Sequence, residues 1–186
     1  MFSIPPLPPF EGMHPLIVHF PLGLLMVAWI PMVLCLIDKK RRSAWIHTAL
    51  TLLVLGTLFT FAAVLSGEAT EEIVDRSSQL IEQAVHQHEE TAESARNFFI
   101  VTTVLFAFIP IARVKLAKSK KSPALTVLGI LVAIGYSLGT LTLADAAHQG
   151  GVLVHDLGIH APIGTFDPAT LEQSSESHDD DEDHDD

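Results

Sequence analysis

The apolar residues of this chain fall in four long blocks. They run from Pro15 to Ile37, from Ala44 to Ser66, from Phe98 to Ile111 with a weaker continuation to Ala117, and from Ala124 to Ala144. A helix needs about 20 residues to cross the hydrocarbon core of a bilayer. The first, second and fourth blocks are long enough alone, and the third needs its neighbours. A water-soluble bundle would carry a polar stripe every three or four residues, whereas ALTLLVLGTLFTFAAVL offers only threonines, which can bond back to their own helix. The pattern predicts an all-α fold, an integral membrane four-helix bundle. Its helices are expected at 15–37, 44–66, 97–117 and 124–147, within a domain spanning 14–166.

Between the blocks the pattern changes. From Glu68 to Arg96 there is no proline and no glycine, and Ile73, Leu80, Ile81, Ala84, His88, Ala92 and Ala95 recur on one helical face. Glu71, Glu82, Glu89, Glu90 and Glu93 mostly take the other faces, so an amphipathic helix is expected in the loop between helices two and three, lying over the mouth of the bundle. His88 is on its inward stripe, and His86 lies about 200° round from that stripe. After the fourth block, HQGGVLVHDLGIHAPIG mixes turn glycines with a β-branched run and predicts a loop or hairpin. Pro15 suits the first turn of a helix, while Pro21 lacks an amide hydrogen and is expected to free the Ile17 carbonyl and bend helix one near His19.

Charge then orients the bundle. The chain is 48% hydrophobic yet carries a net charge of -11, which requires that the two kinds of residue be segregated. Lys39, Lys40, Arg41 and Arg42 fill the first connection, and Arg113, Lys115, Lys118, Lys120 and Lys121 crowd the third. The positive-inside rule places both in the cytoplasm and both termini outside. The Pro-rich segment 1–13 has no basic stretch and no convincing cleavage site, so helix one is expected to stay in the mature protein. The acidic tail 167–186 cannot bury enough apolar surface to fold. Cys35 is single, which excludes a disulfide framework or a cysteine metal cluster.

Candidate chemistry lies in the histidines. His14, His19, His86, His88, His148, His155 and His160 all fall at or above the outer boundary, on three segments that the topology brings together. Histidine is the commonest metal ligand and an axial ligand of haem iron, and ionisable groups at membrane depth mark functional sites. His14 and His19 are five apart, about 140° round a helix, and cannot chelate one small ion as an HExxH pair does. Each must face a different partner segment, which axial ligation of haem would satisfy. The candidate cofactor ligands are His14, His19, His88 and His148, with His155 added as a metal candidate. Asp145 could take a proton from a quinol or sit as a solvated helix-end carboxylate. Gly135 and Gly139 form a GxxxG that serves either packing within the bundle or a homo-oligomer through helix four. His178 and His184 stand among the tail's carboxylates, where hard or borderline cations could bind loosely.

The opening HPLIVHFPLGLL, the SGEA that closes helix two, the HEE at His88 to Glu90 and the closing HQGGVLV resemble a family of small bacterial four-helix membrane proteins. That family is catalogued as a domain of unknown function, opens with HPxxVHFP, and occurs fused or adjacent to cytochrome-type modules. The resemblance covers most of 13–160 and implies extracytoplasmic electron transfer at the bacterial inner membrane. The chain departs from the family's GGxLVYxHG closing pattern: His155 stands where an aromatic is expected and Leu157 where a histidine is expected.

Three functions follow as alternatives. The first is a b-type haem protein passing electrons at the outer face from quinol to a cytochrome, an electron carrier rather than a stand-alone enzyme. Without Cys-x-x-Cys-His, covalent haem attachment is excluded. The second is a copper- or zinc-handling or transport protein, opposed by the lack of a buried carboxylate, histidine or cysteine path in helices two and three. The third is a cofactor-free structural subunit. Lipid is an expected partner and nucleic acid is not.

Overall fold

The computed structural model describes residues 9–71, 78–115 and 123–159. After a 3-10 turn at Phe10–Gly12 come four helices, α1 (His14–Ile37), α2 (Arg42–Glu71), α3 (Gln79–Lys115) and α4 (Pro123–His155), each long and apolar enough to cross a membrane. Among the described residues there is no strand. The helices form two antiparallel hairpins, α1 with α2 and α3 with α4, joined mainly where α2 packs on α3. One end of the bundle carries Lys39 to Arg42 and is the basic end. The other, the histidine end, gathers the start of α1, the end of α2, the first half of α3 and the end of α4.

Two expected boundaries move. The amphipathic stretch is helical, but it does not lie over the mouth as a separate element: it is continuous with the third apolar block as α3. At 1.5 Å per residue its 37 residues span about 55 Å, against about 30 Å of hydrocarbon, so α3 stands far proud of any membrane at the histidine end. The expected loop or hairpin at HQGGVLVH is corrected to helix, extending α4 to His155, and the chain leaves the helix near Gly158, whose φ of +66° is left-handed. The stretches 72–77 and 160–186, with Ile73, His160, His178 and His184, lie outside the described residues, as do Lys118, Lys120 and Lys121.

Glycine sets the distances within each hairpin. A Cβ on Gly56 would stand 2.5 Å from Leu25 Cδ2, so the bare glycine lets α1 lie close on α2. On α4, Gly135 faces Thr102 Oγ1 at 2.6 Å from the corresponding Cβ position, and Gly139 faces Phe99 at 3.2 Å. The GxxxG is therefore occupied by α3 inside the chain. Leu25, Leu53, Phe99 and Phe106 are buried in the resulting core. Outward faces carry Leu36, Leu58, Val114 and Leu141, each more than half exposed. Apolar area on that scale is not tolerated in water and is the surface a bilayer covers.

Helix α1 departs from regular helix geometry at Val18 and at Ala28. Pro21 accounts for the first departure, close to the expected bend, because it has no N–H to offer Ile17 O. The second has two causes. Pro31 removes the donor for Val27 O, and Tyr136 of α4 inserts its hydroxyl into the ladder: it donates to Leu25 O and accepts from Trp29 N–H at 3.1 Å. In a regular helix those two backbone groups would bond each other. At the basic end, Asp38 closes the α1–α2 turn by accepting from Arg41 N–H and Lys40 N–H, each at 3.1 Å, and from Trp45 Nε1–H at 3.2 Å. The bond from Arg41, then that from Trp45, hold its carboxyl below the usual carboxylate range. Arg42 covers the open end of α1, with Nε donating to Cys35 O at 2.7 Å.

Candidate histidine site

His14 opens α1 and turns towards α2. Its Nδ1 lies 3.0 Å from Ala63 O and 3.0 Å from Ser66 Oγ. A carbonyl only accepts, so Nδ1 carries the proton and Nε2 keeps its lone pair. This is the arrangement in which a second bond fixes the tautomer and orientation of a ligating histidine. Ser66 is fully buried and its own hydroxyl donates to Ala63 O at 3.0 Å. Gly67, the next residue, makes room for the ring, since a Cβ there would stand 3.2 Å from His14 Cε1.

His88 repeats the scheme on the other hairpin. It projects from the protruding part of α3 towards α4, and a Cβ on Gly150 would stand 3.2 Å from its Cε1. The Ala146 carbonyl lies by the ring, but Nδ1 is buried with no partner of hydrogen-bonding geometry among the described residues. Each hairpin thus offers one half-buried histidine from its first helix, seated on a glycine of its second. The two rings meet at the seam, centroids 6.5 Å apart and planes at 86°. The first turn of α1, His14–Ile17, has no Cα within 8 Å of α3 or α4, so here the seam is bridged by side chains and not by packed backbone.

The other expected ligands go elsewhere. His19 is exposed and bonds through Nδ1 to Pro15 O of its own helix. His148 is exposed and lines a cleft between α3 and α4, and His155 is exposed at the last residue of α4. His86 points away from the seam, 3.8 Å from Glu89 and 3.5 Å from Glu90, as the helical register predicts. Among the described residues no group of three or more His, Cys, Asp or Glu side chains is gathered to hold a metal ion. Sequence reading missed Ala63, Ser66, Gly67 and Gly150 as the residues that seat the pair. The available signal was a glycine inside each of two helices, at a cost of about 1 kcal/mol relative to alanine.

The stretches that build this pair, the HPLIVHFP opening, SGEA and HQGG, fall inside one family match. A family described as predicted membrane protein (DUF2231) matches residues 11–166. The chain belongs to that family. The match takes in all four helices of this DUF2231 protein and both histidines of the pair. Neither a curated protein nor a solved structure matches it.

Proposed function

We propose that this DUF2231 protein is a b-type haem protein that carries electrons at the outer face of the bacterial cytoplasmic membrane, with His14 and His88 as axial ligands. The observation that carries the reading is the His14–His88 pair: two half-buried imidazoles from different hairpins, 6.5 Å apart between centroids. Two imidazoles bound through nitrogen at about 2.0 Å on opposite sides of one metal atom have centroids about 6 Å apart. The donor count points the same way. A structural zinc site takes four protein ligands and a catalytic one three, but a haem iron asks the protein for two, one on each face. His14 Nδ1 is held by Ala63 O and Ser66 Oγ, which leaves Nε2 for such a role, and the Ala146 carbonyl beside the His88 ring would leave that ring one nitrogen likewise. Bound haem would supply one-electron chemistry, while the residues around it fix orientation: Ala63 and Ser66 for His14, Gly150 for His88. The basic residues Lys39 to Arg42, Arg113 and Lys115 at the opposite end favour a cytoplasmic location for that end, and so an outer location for the histidines and both termini. A quinol is the proposed donor and a cytochrome the proposed acceptor.

The test is spectroscopic. Full-length protein made with adequate haem supply and purified in detergent is expected to show the sharp reduced-minus-oxidised bands of low-spin, bis-histidine haem, extractable by acid acetone. His14→Ala and His88→Ala should each lose most of that haem, and His19→Ala, His86→Ala and His155→Ala should keep it. Colourless protein holding zinc or copper in simple ratio to the chain would replace this reading with metal handling. Colourless protein with neither would leave a structural subunit.

A further inference from the structure

We infer that the cleft beside Asp145 and His148 binds the ring of a lipid-soluble hydroquinone, an inference that rests on the electron-carrier reading for its consequence but not for its geometry. The cleft is an open depression between α3 and α4 at the histidine end, with a volume of about 280 Å³. That is close to the lower bound of about 300 Å³ for small-molecule sites, room for one substituted ring and not for a whole lipid. Asp145, His148 and Gln149 line it together with the apolar Ala84, Val152 and Leu153.

Three observations select the ligand. First, Ile134, Leu138, Leu141, Asp145, His148 and Val152 follow one another at steps of four and three, so they share one face of α4. Its lower part is exposed, Leu141 to 68%, and is the lipid-facing stripe of the helix. The cleft stands just beyond that stripe, so an apolar tail can stay on the lipid-facing part of α4 while a polar ring reaches the cleft. Second, Gln149 is held by its amide nitrogen, 3.1 Å from Asp145 Oδ2 and 3.2 Å from Thr91 Oγ1, while its Oε1 is buried without a partner among the described residues. With Oε1 enclosed, the acceptor presented to the cleft is the exposed Asp145 carboxylate that Gln149 holds in place, and it suits a hydroxyl donor. Third, among the described residues no lysine or arginine lines the cleft. A phosphate headgroup or a fatty-acid carboxylate would meet Asp145 with no cation to offset it. A neutral ring bearing hydroxyl donors, with an apolar tail lying on α4, satisfies all three.

The cleft is also one residue from the histidine pair, because Gln149 lines it and Gly150 touches the His88 ring. Oxidation of a hydroquinone to its quinone releases two protons and two electrons. The Asp145 carboxylate and the His148 imidazole each take a proton, and the electrons leave singly to a one-electron acceptor, ferric haem in the reading above.

The experiment uses full-length protein in detergent, with decylubiquinone and its reduced form as probes in equilibrium dialysis. Saturable binding to the parent is expected. Asp145→Asn and His148→Leu should each weaken it at least tenfold while leaving haem content unchanged, and Asp156→Asn, outside the cleft, should bind as the parent does. Saturable binding in protein that proves to lack haem would uphold the cleft and sink the electron-carrier reading alone. Haem-loaded protein with no saturable binding, equal binding by all variants, or a co-purified phospholipid displaced only by Asp145→Asn would overturn the hydroquinone site.

Discussion

Tyr136→Phe removes a single oxygen atom, and the structure fixes what that atom does. The hydroxyl stands between Leu25 O and Trp29 N–H in the middle of α1, and it belongs to the opposite hairpin. Without it, Leu25 O keeps a long bond from Ala28 N–H at 3.3 Å, while Trp29 N–H either goes unpaired in an apolar interior or must reach Leu25 O itself. Full loss of a partner for a buried polar group costs about 1–3 kcal/mol. Direct pairing would recover part of that, but it requires α1 to straighten at Ala28, where Pro31 still leaves Val27 O without its donor. Interhelical hydrogen bonds in membranes average about 0.6 kcal/mol, which sets the lower limit when the helix relaxes well. The expected loss is about 1–2 kcal/mol, read as a lower midpoint in reversible unfolding from mild detergent into dodecyl sulfate. Tyr136→Leu should lose more, because it also removes the ring set edge-on to Phe99 at 6.0 Å. A Phe variant as stable as the parent would refute the argument, since it would mean the inserted hydroxyl holds nothing that direct pairing cannot.

Gly150→Val places a branched side chain where even a Cβ would stand 3.2 Å from His88 Cε1, so the ring must move; haem content, or whatever the pair holds, should fall severalfold while the helical circular dichroism is kept, and unchanged content would show that Gly150 does not seat the ring. A reporter that fluoresces only in the cytoplasm, fused after Asp186, should stay dark, and a bright fusion would invert the orientation and place the histidines inside.

How much of this was legible depended on the kind of constraint. The four helices could be read because lipid leaves no alternative: a segment such as 44–66, apolar on every face, crosses a membrane as helix or not at all. The inward position of His88 was legible from Leu80, Ile81, Ala84, Ala92 and Ala95, whose spacing marks one helical face without reference to tertiary contact. The ends of the helices were harder. Charged residues from Glu82 to Glu93 read as a separate amphipathic helix over the mouth, although they run unbroken into the third apolar block as one helix, α3. Gly150 and Gly151 read as a turn because glycine is a poor helix former, and only the His88 ring shows why one is kept inside α4. Ser66 and Gly67 were visible as a motif but not as a seat for His14, which lies 52 residues away from Ser66 in sequence. The insertion of Tyr136 into α1 had no signal at all, since a lone tyrosine in an apolar helix has the pattern of ordinary core.

The arrangement of the pair explains why the seam, and not either hairpin, is where chemistry would arise. His14 rests on Gly67 and His88 on Gly150, so each hairpin seats one imidazole with residues of its own. Among the described residues the imidazole set against His14 is that of His88, from the other hairpin, so the two rings meet only once the hairpins dock. That docking rests on the shared core of Leu25, Leu53, Phe99 and Phe106 and on contacts that cross the seam: Thr57 with Thr103 at 2.9 Å, Arg96 over the Phe61 ring at 5.6 Å, and the Tyr136 hydroxyl in α1. At the histidine end the first turn of α1 keeps more than 8 Å between its Cα atoms and those of α3 and α4. A group held by both rings would add its binding energy to that seam, since anything that binds the docked form alone stabilises it. A cofactor at His14 and His88 should therefore raise the unfolding midpoint of the parent, and the gain should vanish in His14→Ala and His88→Ala alike, because either loss opens the same seam.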